Sequence, residues 1–84
     1  MSHVSYLLRV YLQDRPGSLG LLAVQLGSVG ADILSLEVVE RGDGYAVDDL
    51  VVDVAPGALP DSLITAAEKV KGVRVDSIDR KSVV

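Results

Sequence analysis

Between Asp14 and Gly20 the sequence reads D-R-P-G-S-L-G, which places a carboxylate, a guanidinium, a hydroxyl and two glycines within seven residues. The apolar spacing that follows, Leu19, Leu22, Ala23, Leu26 and Val29, is helical, so these residues open a helix. First-turn amides have no intrahelical acceptor and carry a partial positive charge, which favours a carboxylate or phosphate. Arg15 adds a full positive charge, and Gly17 and Gly20 let a ligand approach the backbone closely. The same residues also support a purely structural role, in which Asp14 or Ser18 caps the helix, Pro16 presets its first turn and Gly17 relieves strain.

Other polar residues promise less chemistry. Asp48, Asp49 and Asp53 suggest a cation cluster, but strand alternation sends Asp48 opposite to the other two. A solvated face is the expectation for them. Tyr6, Tyr11 and Tyr45 are too few and too scattered to stack nucleobases. His3, the only histidine, belongs to a polar start without a partner. Ser18 has no His or Lys nearby to activate it as a nucleophile. No residue set calls for a cofactor.

The elements that must hold the loop follow from periodicity. Val4 to Leu12 alternates as a half-buried strand, and the helix runs to about Val29, with Gly30 at the stop. Ile33 to Glu40 forms a second strand. Arg41, Gly42, Asp43 and Gly44 turn it into a third, in which Leu50, Val52 and Val54 share one face. Pro56, Gly57 and Pro60 end that strand. Leu63, Ala66, Ala67 and Val70 then mark a second helix closed by Gly72. Val73, Val75 and Ile78 supply a last strand, with an irregularity expected near Ser77. The order βαββαβ with right-handed crossovers predicts an α+β, ferredoxin-like fold: a four-stranded antiparallel sheet with two helices on one face. Residues 1–84 are expected to form a single domain.

Composition narrows the partners. With 15 Val, 12 Leu and no Phe or Trp the core is aliphatic, and a net charge of −4 repels phosphate backbones and anionic lipid. Nucleic acid and membrane are therefore not expected. No run approaches a membrane span, no signal-peptide pattern is present and there is no cysteine, so cytoplasmic localisation is the default expectation.

The D-R-P-G-S-L entry to the helix, the segment G-A-D-I-L-S-L-E-V from Gly30 to Val38 and the βαββαβ order together resemble the ACT domain, a small-molecule regulatory module of amino-acid metabolism. The resemblance covers nearly the whole chain. It implies a non-catalytic domain that pairs side by side through edge strands and binds an amino acid where the first loop meets a neighbouring subunit. Carried over by position, Asp14, Arg15, Pro16, Gly17, Ser18 and Leu19 line the pocket, Gly20 contributes backbone, and Asp32 faces it from the second strand. Where family members that bind polar amino acids often show Asn or His, this chain has Asp14, Asp32 and Leu12.

On this reading Arg15 and the Gly17 to Gly20 backbone hold a carboxylate, and Asp14 and Asp32 converge on an ammonium. Asp32 alternatively only turns the chain into its strand. The strand from Ile33 to Val39 is expected at a sheet edge, free of Pro and Lys, and favours a homodimer or higher homo-oligomer, although Glu37 and Glu40 offer repulsion that would favour a monomer. A catalytic or second regulatory domain in a longer parent chain is a further expected partner. Two other functions fit the same fold: a small phosphate-ester or acyl-phosphate hydrolase using Arg15 as anion clamp, and a purely structural dimerisation module.

Overall fold

The computed structural model describes residues 4–81, and His3 lies outside them. The elements run β1 (Val4–Gln13), α1 (Ser18–Ser28), β2 (Asp32–Gly42), β3 (Tyr45–Val54), α2 (Pro60–Glu68) and β4 (Arg74–Lys81). The strands form one antiparallel sheet in the order β2-β3-β1-β4. The predicted ferredoxin-like arrangement is the one observed, with β2 and β4 at the edges.

One face of the sheet carries the core. Leu8, Val10 and Leu12 of β1 lie beside Leu50, Val52 and Val54 of β3, and all six are buried. Leu22 and Leu26 of α1 and Leu63, Ala66 and Ala67 of α2 close over them. The spacing of Leu22 and Leu26 keeps them on one side of α1, so the helix buries that stripe and leaves Leu21 and Val24 in solvent. Val70 and Val73 complete the core just beyond α2. The α2 helix is thus shorter than its apolar spacing implies, because Val70 is buried from the turn that follows.

On the opposite face Tyr11 and Tyr45 stack, with ring centroids 5.3 Å apart, and the Arg74 guanidinium lies 4.8 Å from the Tyr11 centroid. Two of the three tyrosines are therefore neighbours rather than scattered. Arg9 forms a bidentate pair with Asp49 across the β1–β3 ladder. The hairpin turn closes through Gly44, whose φ is +75°, and Asp43 needs no left-handed conformation. The irregularity expected near Ser77 is a register shift between Arg9 and Val10 on β1, which leaves Asp76 without a ladder partner.

The two edges differ in chemistry. Along β4, Arg74, Asp76, Asp79, Arg80 and Lys81 place charges on an irregular strand. Along β2, Leu34, Leu36, Val38 and Val39 all remain exposed. The helices leave β2 partly open, so its helix-side residues Leu36 and Val38 form an exposed apolar shelf.

Candidate functional site

The loop between β1 and α1 is built by its backbone. The Asp14 amide donates to the Gly44 carbonyl at 3.0 Å, which ties the loop to the β2–β3 turn, and the Ser18 amide donates to the Arg15 carbonyl at 3.1 Å. Gly17 takes the N-cap position with φ +88°, and no side chain caps the helix. Capping by Asp14 or Ser18 is therefore not what these residues do: Ser18 is the first helical residue, and Asp14 is held by Arg41. The Leu21 amide reaches the Gly17 carbonyl at 3.0 Å. Among the described residues the amides of Leu19 and Gly20 have no acceptor, and the first turn contains no acidic side chain. These are the donors and the uncompensated dipole that an anion would use.

Beside this turn lies a cavity of about 200 Å³, lined by Asp14, Arg15, Ser18 and Leu19 from the loop and first turn. Leu12 and Gln13 of β1, Leu36, Val38 and Arg41 of β2 and Ala46 and Asp48 of β3 complete its wall. Arg15, Pro16 and Ser18 also border a shallow depression on the other side of the loop, with Leu21, Val70 and Lys71. Arg15 thus stands between two concavities.

Asp32 does not join this site. It pairs with Asp53 at the start of β2, whereas the Asp14 loop is tied to Gly44 at the other end of the hairpin. Asp53 lies eight residue steps along β3 from Tyr45, about 26 Å at strand rise. Within one chain Asp14 and Asp32 therefore do not converge: α1 carries the chain back to the end where β1 began, and β2 starts there.

Two residues assigned elsewhere from the sequence take part instead. Arg41, expected only as a turn residue, places Nη2 2.6 Å from Asp14 Oδ2, and the paired carboxylate holds its guanidinium pKa above the ordinary value. Asp48, expected on a solvated face, is 4% exposed. It lies on the helix side of the sheet, in register between Val10 and Val38. Its Oδ1 is buried with no hydrogen-bond partner among the described residues. Burial pushes its pKa up, Asp14 and Asp49 add to the shift, and Arg41 opposes it. The signal was its phase with Ala46, Leu50 and Val52, all inward-facing.

No family model matches the chain, and no curated protein matches it in sequence. Solved structures do match in shape. A protein of unknown function from Galdieria sulphuraria superposes with a TM-score of 0.80 at 21% identity over 99% of this chain, which spans 47% of that one. The ACT domain of GTP pyrophosphokinase from Chlorobium tepidum matches at TM-score 0.63 and 18% identity, over 95% of this chain and all of that one. An ACT domain protein from Streptococcus pneumoniae gives 0.70 and 16%, over 92% and 89% of the two chains.

The chain has the ACT-domain fold. Identities this low establish architecture alone. No helix among the described residues is long and apolar enough to cross a membrane.

Proposed function

We propose that this chain is an ACT-type regulatory module that binds an amino acid at the β1–α1 loop, acts as a homodimer and performs no catalysis. The carrying observation is the pair of unpartnered Leu19 and Gly20 amides beside a cavity whose outer wall is the exposed apolar shelf of β2. The amides and Arg15 suit a ligand carboxylate. The size of the cavity suits a small ligand, since drug-sized pockets begin at about 300 Å³.

The β2 edge supports the second half of the reading. An edge with exposed Leu and Val and no Pro or Lys offers main-chain groups to another strand. Antiparallel pairing of two β2 strands would carry Asp32 of the partner subunit towards the Asp14 end of the first. In such a dimer Asp32 would face the first loop only from across the interface. A ligand enclosed there must strengthen dimerisation as dimerisation strengthens binding. The proposed compartment is the cytoplasm, and a parent chain longer than 84 residues would supply the regulated partner.

Thermal unfolding with each of the twenty amino acids, combined with sedimentation velocity, tests this reading. At ~100 times the dissociation constant a true ligand adds about 2.7 kcal/mol and moves the population towards dimer. A panel in which no amino acid raises the melting temperature would remove the proposal.

A further inference from the structure

Asp48 is the one buried charged side chain among the described residues, and the core does not need it. Its neighbours across the sheet are aliphatic, and an unpartnered carboxylate oxygen in such a place is costly unless something comes to meet it. The side chain lines the cavity beside the first loop. The remaining charges on that cavity wall sort simply. Asp14 and Arg41 satisfy each other at 2.6 Å. Arg15 and Asp48 have no ion-pair partner among the described residues, and α1 carries no charged residue to supply one. One unmatched negative charge therefore sits on the strand floor, and one unmatched positive charge sits at the loop.

We infer that Asp48 accepts the ammonium group of a small zwitterionic ligand whose carboxylate lies towards Arg15 and the Leu19 and Gly20 amides. This rests on the proposed amino-acid function and extends it by naming the residue that selects for an amine. Asp14 is not that residue, because Arg41 already neutralises it. Calcium or magnesium suits the site poorly, since these ions take six or more oxygen ligands and Asp48 brings two at most. No group of three or more metal-ligating side chains occurs among the described residues. Burial raises the Asp48 carboxyl pKa, and an ammonium beside it would favour the charged form.

The test uses calorimetry and carboxyl ¹³C NMR. Each amino acid that binds the wild-type chain is compared with the 2-hydroxy acid of the same side chain, which keeps the carboxylate and lacks the ammonium. Ethylamine serves as an ammonium probe without a carboxylate. The expected result is at least a tenfold weaker 2-hydroxy acid, at least a tenfold loss of amino-acid affinity in Asp48→Asn, and a shifted Asp48 carboxyl resonance on loading. Equal affinity for amino and hydroxy acid, or an Asp48→Asn variant that binds the amino acid as the wild type does, overturns the role of Asp48 and leaves the amino-acid reading standing. Ethylamine moving the Asp48 resonance while no amino acid binds supports the ammonium site and overturns the amino-acid reading. Silence from both probes overturns both. The hydroxy-acid comparison needs only the wild-type chain, so it decides even if the variant does not fold.

Discussion

The Asp48 carboxyl opposes folding in a pH-dependent way. Its folded pKa lies above its unfolded one, chiefly through burial, with Asp14 and Asp49 reinforcing and Arg41 opposing. Well below the ordinary aspartate value of about 3.9 it is protonated in both states and its burial adds no pH-dependent cost. As pH rises, the unfolded chain releases the proton first, and the fold loses stability until the folded carboxyl also ionises. Asp48→Asn is therefore expected to gain stability relative to wild type as pH rises from about 4 towards 7, read from urea melts at each pH. A difference that stays flat would show that the carboxyl is not strained. Asp49 has the opposite sign: its hydrogen bond from Arg9 lowers its pKa, so its contribution is present above the unfolded value and fades as pH falls. Subtracting variant from wild type separates the two. Gly17 gives a second prediction. At φ +88°, with nothing within 4 Å of an added Cβ, Gly17→Ala pays only a backbone cost of about 1–2 kcal/mol, and Gly17→Asn pays less, as chemical denaturation should show. The need for glycine at position 17 was readable in P-G-S. The buried state of Asp48 was readable only by following strand phase past the assumption that an aspartate seeks water.

Among the elements, α1 separates burial from hydropathy most sharply. Leu26 is fully buried and Val24 is 66% exposed on the same helix. Leu26→Ala should cost about 2–5 kcal/mol, whereas Val24→Ala should stay within about 0.5 kcal/mol. Equal effects in paired denaturant melts would mean that something covers the outer face of α1. The helix and all four strands were legible because their apolar periods are clean: Leu22 and Leu26 at four residues, Leu8, Val10 and Leu12 at two. The site was half legible. The loop and its amides follow from local pattern, but pairing Asp14 with Asp32 ignored what α1 does to the path of the chain. A helix that returns the chain to its starting end must begin β2 far from the loop it leaves. Arg41 escaped notice for the same reason, since only the β2–β3 pairing brings residue 41 beside residue 14.

For the whole molecule, the consequence lies in its surface. The described chain measures 42 × 25 × 17 Å, and within it the shelf of Leu36 and Val38 stays exposed. Val38→Lys leaves the chain folded, because its side chain is already half exposed, and is expected to abolish self-association in sedimentation velocity by placing like charges across the pairing edge. A variant that still dimerises would move the interface elsewhere. No single chain displays what covers this shelf, and this part of the architecture was not legible from residue order. The contrast between the two borders of the sheet carries a last implication. A particle with two sticky sides polymerises into fibres, and one with none stays solitary. Here one border invites a strand, while the other is lined with ions and kinked at Asp76. Once the inviting border is taken, no open border of the sheet remains to recruit a third copy, so growth by strand pairing terminates by itself and high concentration should yield a closed particle instead of a filament.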